Sequence, residues 1–399
     1  MGHLTPGPRS GTLGAVRILV TALGAPGHAF PLVPLATALR DAGHDVTFAA
    51  GPDVLGGVAT TGLAVLPSGG GLAEGFVVAR ERLGVATWPP DRATEWTLAT
   101  EVFGDILPRR VVADLAPWLA THRPDLVVAE IGDQGAALAA AAAGVPCVLH
   151  GVGRRPPLQA PMYHRARGSV LALATELGLD LVEGAPLGHA SLDPCPPSLQ
   201  APPEGDELAE LPLRPTAWNP PVPGSSPPAS GRPWAYLTLG TAMGTSGVLR
   251  TAAAALAGLD LDVLVAAGSI AIGELDGLAT DRVRVEPFVA QADVLASDHP
   301  PVLVVHHGGS GTTLGAAAAG IPQLFLPQGA DQFFNAAAVS AIGAGATVAS
   351  PDGVAAAAGP LIAEGPARAA ARALASEIAA MPSPSDVAAA VGAWGQPEM

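Results

Sequence analysis

The sequence predicts two α/β domains, each organised on a parallel sheet, and three observations predict it. Short apolar runs such as residues 302–305 (VLVV) carry no polar break, the pattern of strands covered by helices on both faces. Runs of this kind are followed by polar, glycine-bearing turns and then by Ala- or Leu-rich stretches of helical length. Two such series are separated by residues 201–233, which hold ten prolines together with Gly224-Ser225-Ser226. That proline content gives an extended, semi-rigid linker rather than a helix. At 399 residues the chain has the length of two ordinary domains.

Taken in order, residues 16–23 (VRILVTAL) read as a buried strand, followed by the turn Gly24-Ala25-Pro26-Gly27-His28. Residues 30–41 predict a helix with Leu32, Leu35 and Leu39 on one face, ended by Gly43; residues 45–50 are the next strand. This βαβ start lacks the GxGxxG fingerprint, which argues against NAD or FAD at its turn. Residues 69–118 are patterned more loosely and hold Phe76, Trp88, Trp96, Phe103 and Trp118, five of 16 aromatics in the chain. Packing of amphipathic helices is one use for them. A wall for a bulky apolar acceptor is the other. A strand at 124–129 ends in Glu130, with Gly132-Asp133-Gln134 leading into a helix at 135–143 and a strand at 145–150. Residues 151–167 carry four arginines and read as a solvated connection.

Beyond the linker, residues 234–239 restart the pattern, with turn Gly240-Thr241 and a helix at 248–256. Further strands are expected at 262–266, 282–285, 302–305, 323–326 and 346–348, and C-terminal helices at 364–380 and 385–393. The boundaries that result are an N-terminal extension (1–15, disordered), a first domain (16–200), the linker (201–233), a second domain (234–380) and a C-terminal helix (381–399) packing back on the first domain.

Composition narrows the chemistry. A net charge of −15 disfavours nucleic acid and anionic membrane surfaces as partners. All 20 basic residues are arginine, so lysine chemistry is excluded. Cys147 and Cys195 are too few for a metal knuckle or a disulfide framework. No secretory leader is evident in the first 15 residues and no apolar run is long enough to span a bilayer, so the expectation is a soluble cytoplasmic protein without an integral membrane segment. A homodimer is compatible with the sequence, which does not specify the oligomeric state.

The most informative stretch is residues 301–345. Its turn, His307-Gly308-Gly309-Ser310-Gly311-Thr312-Thr313, opens an Ala-rich helix that stops at Gly320 before Pro322. Glycines admit a close ligand, helix-terminal N–H groups favour an anion, and His307 and the hydroxyls add polar contacts. These are the parts of a diphosphate cradle; a P-loop is impossible in a chain without lysine. A plain tight turn is the competing reading. The second turn weighs against it, because Asp331, placed as a helix N-cap, and Gln332 stand before Asn335 and suit sugar hydroxyls.

From His307 to Asn335 the chain closely resembles the donor-binding signature of UDP-glucuronosyl/UDP-glucosyltransferase-like glycosyltransferases, and more narrowly the bacterial enzymes that glycosylate natural products such as enediyne and macrolide antibiotics. The resemblance extends over nearly the whole chain from Val16. It implies the GT-B fold, two Rossmann-like parallel-sheet domains facing an interdomain cleft, with the acceptor on the first and the nucleotide sugar on the second. It implies a TDP- or UDP-sugar as co-substrate, no cofactor, and inverting transfer to a hydroxyl of an apolar aglycone or glycoside. His28 matches the family's general base. Glu130 stands where many relatives have an aspartate that orients that histidine, and Asp133 is the alternative orienting carboxylate. Gly240 and Thr241 resemble the turn beside the diphosphate. Phe288, Val289 and Gln291 align with a Trp-Val-Pro-Gln type segment, so that Phe288 would stack on the pyrimidine and Gln291 bond the ribose. His307, Gly308, Gly309, Ser310, Gly311, Thr312, Asp331 and Gln332 complete the donor set, and Phe76, Trp88, Trp96 and Phe103 are the acceptor candidates. Asp260-Leu261-Asp262 satisfies the DxD pattern of metal-dependent transferases but opens a strand away from the phosphate turn, so no catalytic metal is expected. A nucleotide-sugar 2-epimerase of the same architecture, or a non-catalytic partner subunit, is the alternative.

Overall fold

The computed structural model describes residues 15–86, 91–155, 161–181, 187–201, 208–223, 225–241 and 244–391. The expected extension at 1–15 therefore lies outside the described residues except for its last position, and Trp88 lies outside them entirely. The chain divides into two compact units, one holding residues up to Pro194, Ala201–Leu213 and the chain from Pro382 on, the other Cys195–Gln200 and Arg214–Met381.

The first unit is built on seven strands: β1 Arg17–Ala22, β2 Asp45–Ala50, β3 Ala64–Pro67, β4 Leu126–Glu130, β5 Cys147–His150, β6 Ala190–Asp193 and β7 Glu210–Pro212. They pair in parallel in the order β3-β2-β1-β4-β5-β6-β7. The second unit has six: β8 Trp234–Thr238, β9 Asp262–Ala266, β10 Val283–Glu286, β11 Leu303–His306, β12 Gln323–Phe325 and β13 Gly345–Thr347. Their order is β10-β9-β8-β11-β12-β13, again all parallel. Central strands are mainly apolar because helices cover both faces, with polar residues confined to their ends. β8, β9 and β11 are buried at every position. In the first unit Leu19, Val127 and Ala129 meet Leu115, Leu119 and Leu138 from the helices Leu107–His122 and Gln134–Ala142. In the second, Leu237, Val265 and Val305 meet Leu249 and Leu256 of the helix Ser246–Ala257.

Strand order in both sheets reverses beside the first strand, between β1 and β4 and between β8 and β11. Loops leaving the two neighbouring strands then diverge to opposite sides and leave a crevice at the carboxyl edge. On the other side of β1, the loops that follow β1, β2 and β3 converge closely. An ideal Cβ on Gly51 would lie 2.2 Å from the Gly70 carbonyl oxygen, so only glycine lets these loops touch.

Several expectations change in the folded chain. Helix begins at Pro26, not after His28, because proline at the first helical position is already set to a helical φ; His28 thus sits on a helical turn. The arginine-bearing connection at 151–167 runs into the helix Pro161–Glu176, whose Val170, Leu173 and Ala174 join the first core. The proline-rich stretch contributes β7 as the edge strand of the first sheet. Further on it is tied to the second unit, where Asn219 Oδ1 accepts from the Ala292 N–H at 2.8 Å and Ser225 Oγ from the Ala290 N–H at 2.9 Å. The C-terminal helix Pro384–Val391 packs against Val33–Asp41 within the first unit.

Candidate active site

In the first unit, β1 delivers His28 and its neighbour β4 delivers Glu130 to the same crevice. His28 Nδ1 lies 3.1 Å from Glu130 Oε2; the imidazole is 27 % exposed and the carboxylate 1 %. The pair lies at ion-pair distance, with a buried carboxylate facing a partly exposed ring. Glu130 Oε1 accepts from the Gly132 N–H at 2.7 Å, which fixes the carboxylate. Asp133 has a different task. It is the N-cap of Gln134–Ala142, its Oδ1 accepting from the Ala136 N–H at 3.3 Å. Burial, and then the nearby Glu130, push its carboxyl up to about 7, against the opposing pulls of Thr21, the Ala136 N–H and His28. Of the two carboxylates that the sequence left open, Glu130 is in contact with the histidine.

The aromatic segment reaches this crevice through an irregular helix. Between Arg92–Glu101 and Leu107–His122 the chain makes a π-turn, Val102–Ile106. Pro108 has no N–H to give the Gly104 carbonyl four residues back, and Gly104 is pressed against the next helix, where a Cβ would meet Ala166 Cα at 3.0 Å. The wide turn brings Phe103 to 6.2 Å from His28, between ring centroids, with Phe76 edge-on to Phe103 at 6.3 Å. Trp96 is half-buried on Arg92–Glu101. Trp118 stacks on His122 at 4.3 Å and packs on the first core, a structural use.

In the second unit β8 and β11 bring Gly240 and His307 together. A Cβ on Gly240 would meet His307 Cε1 at 2.5 Å, and one on Gly309 would meet Nε2 at 2.4 Å, so the ring lies between two bare backbones. Burial pushes the His307 pKa down to about 4, although Asp331 and the Thr238 backbone oppose it. It is therefore neutral at physiological pH and offers a hydrogen bond, not a charge. Ser310, Gly311 and Thr312 form the first turn of the helix Ser310–Ala318, whose N-terminus faces the same edge. Thr312 Oγ1 donates to Gln291 Oε1 at 2.9 Å. Phe288 is exposed beside buried Val289. Asp331 stands at the N-cap position, but its side chain does not cap: Oδ2 accepts from Ser310 Oγ at 3.0 Å and Asn335 Nδ2 at 3.1 Å. Gln332 Oε1 accepts from the Gln328 and Gly329 N–H groups at 2.7 and 3.1 Å. The carboxylate and amide assigned to sugar hydroxyls thus also brace their own turn.

The chain matches the model of the erythromycin biosynthesis protein CIII-like N-terminal domain over residues 37–222 and that of the corresponding C-terminal domain over residues 250–393. It is 34 % identical to an L-demethylnoviosyl transferase of Streptomyces niveus, over 95 % of this chain and 98 % of that one. The elloramycin glycosyltransferase ElmGT of Streptomyces olivaceus is 35 % identical over 94 % and 96 %. The chain belongs to the erythromycin biosynthesis protein CIII-like family. It is a GT-B glycosyltransferase of antibiotic biosynthesis. Among solved structures, the Streptomyces sp. SF2575 glycosyltransferase SsfS6, complexed with thymidine diphosphate, superposes with a TM-score of 0.76 at 29 % identity, over 94 % of this chain and 99 % of that one. The relatives' names describe sugar transfer, which sets aside the epimerase and partner-subunit alternatives.

Two further polar residues of this CIII-like glycosyltransferase, given no role from the sequence, lie at these sites. Asn335 Nδ2 reaches the Gly308 carbonyl at 2.9 Å as well as Ser310 and Asp331. His150 pairs in register with Glu130 across β5 and β4, fully buried, its Nδ1 2.6 Å from the Gly151 carbonyl, and burial pushes its pKa down to about 4. Asn335 closes the donor signature read from the sequence, whereas His150 sits in no motif and only strand pairing brings it beside Glu130. Asp260 pairs with Arg282 at 2.7 Å, and Asp262 with Ser230 and Arg232, so both DxD carboxylates are engaged in ion pairs or hydrogen bonds. Gly240→Ala tests the tight pairing around His307. With φ +75 and no room for a methyl group, it is expected to displace the ring and weaken thymidine diphosphate (TDP) binding at least about tenfold by calorimetry. Unchanged affinity would show that His307 does not contact the nucleotide.

Proposed function

We propose that this glycosyltransferase moves a sugar from a TDP-sugar to a hydroxyl of an apolar natural-product acceptor, with inversion, in one displacement. The observation that carries the proposal is the contact of partly exposed His28 with buried Glu130, 3.1 Å apart at a topological switch point. His28 removes the acceptor's proton as its oxygen attacks the anomeric carbon, and Glu130 stabilises the imidazolium that forms. The nucleotide diphosphate leaves toward the N-terminus of Ser310–Ala318, where helix N–H groups and neutral His307 receive its developing charge. Gly308, Gly309, Gly311 and Thr312 line that terminus, with Gly240 and Thr241 opposite; Phe288 and Gln291 take the base and ribose, and Asp331 and Gln332 the sugar.

TDP is favoured over UDP because relatives include a TDP-daunosamine transferase of Streptomyces peucetius, 30 % identical over 83 % of this chain. Phe103, Phe76 and Trp96 form the apolar surface for the acceptor beside His28. A cytoplasmic location is part of this proposal; among the described residues no helix is long and apolar enough to cross a membrane. The first experiment is a thermal-shift titration with TDP and UDP, since a ligand of the native state raises its melting temperature. TDP is expected to give the larger shift; a larger UDP shift would reverse the donor assignment. Transfer should survive EDTA, because the cradle works through backbone amides and an imidazole. Loss of turnover on chelation, restored by Mg²⁺, would overturn the metal-free mechanism.

A further inference from the structure

We propose that His306 and Gln323 are positioning residues for the donor site, together holding the Gly308 turn that presents the phosphate cradle. The proposal rests on the donor-site reading above. Neither side chain is reachable by a nucleotide, since their residues are 0 % and 1 % exposed. The Gly308 N–H donates to His306 Nδ1 at 3.2 Å, His306 Nε2 meets Gln323 Oε1 at 2.9 Å, and Gln323 Nε2 donates to the Thr313 carbonyl at 3.2 Å. An amide N–H only donates, so Nδ1 accepts and Nε2 carries the hydrogen given to Gln323. Burial pushes the His306 pKa down to about 3, with His307 acting in the same direction, so this neutral tautomer persists at physiological pH.

The relay joins the turn to the helix whose N-terminus receives the phosphates. One end is Gly308, at φ +99, where a Cβ would lie 2.8 Å from the Gln332 carbonyl oxygen; the other is Thr313 on Ser310–Ala318. His306 ends β11 and Gln323 begins β12, neighbouring strands of the second sheet. Gly308 is therefore held at its N–H by His306 and at its carbonyl by Asn335. Filling these interior positions with an imidazole and an amide makes sense if what they fix is the direction of the next turn.

The test separates positioning from packing. His306→Phe keeps ring bulk but accepts no hydrogen bond. His306→Asn loses bulk, yet its Oδ1 can accept from an N–H two residues on, as in an Asx-turn. By calorimetry, His306→Phe is expected to bind TDP about tenfold more weakly, with the donor KM raised to match and the acceptor KM unchanged. His306→Asn should bind TDP better than His306→Phe although it melts lower. Gln323→Met, which keeps the side chain's length without its amide, should fall between the parent and His306→Phe. Parent-like affinity in His306→Phe, or affinity that simply follows melting temperature across the three variants, overturns the proposal. His307→Ala is the control for the donor reading. If it binds TDP like the parent, the donor reading fails; if it loses TDP while His306→Phe does not, only the positioning role fails.

Discussion

His28→Ala is expected to lower kcat by about 10²- to 10⁴-fold, the usual contribution of a general base, while leaving TDP affinity unchanged. An alcohol is a poor nucleophile at neutral pH, so its proton must be accepted as the C–O bond forms. Imidazole ordinarily titrates near 6.5, which suits it to that task at about pH 7. The affinity half of the prediction follows from placement: His28 lies on the first unit, whereas His307 and Gly240 belong to the second. Steady-state kinetics with an alcohol or phenol acceptor, alongside nucleotide calorimetry, reads both halves. Near-normal turnover in His28→Ala would move the base elsewhere, and equal losses of turnover and TDP affinity would mean that the substitution disturbs more than a proton transfer.

Glu130→Gln and Asp133→Asn are expected to diverge, because the two carboxylates do different work. In Glu130→Gln the side-chain amide oxygen can still accept from the Gly132 N–H, so the local fold survives while the charge facing His28 is lost. Turnover should fall about 10²-fold or more, as when a base histidine loses its orienting carboxylate. Asp133→Asn should keep turnover within about threefold, since asparagine caps a helix as well as aspartate does. Its effect should appear in stability instead. In the folded chain Asp133 holds its proton up to about pH 7, whereas an unfolded aspartate releases it near 4. Between those values the unfolded state gains by ionising, so stability falls as pH rises through this window and stays low above it. Asparagine does not ionise. The variant should therefore be more stable than the parent at about pH 8, by an amount on the order of a few kcal/mol, and show no gain at about pH 4. Thermal melts at the two pH values check this. No gain at the higher pH would mean that the Asp133 carboxyl is not raised in the folded chain and ionises in its ordinary range.

Local chemistry made much of the chain legible from its residues alone. Apolar runs between glycine-bearing turns placed strands such as Asp45–Ala50 and Asp262–Ala266 at their ends, because a strand covered on both faces leaves a contiguous signal. The phosphate turn was equally plain, since glycines, a histidine and hydroxyls ahead of a helix are near neighbours in sequence. The tertiary structure alone decided what depends on strand order. Nothing in the sequence says that β4 lies beside β1 or that β11 lies beside β8, yet those adjacencies bring Glu130 to His28 and Gly240 to His307. Which of Glu130 and Asp133 touches His28 also lay beyond the sequence. Three residues apart, they separate because one ends a strand and faces the crevice while the other turns back to cap its helix. Strand pairing and helix packing act over more than a hundred residues of chain, as from His28 to Glu130, and leave no periodicity to read.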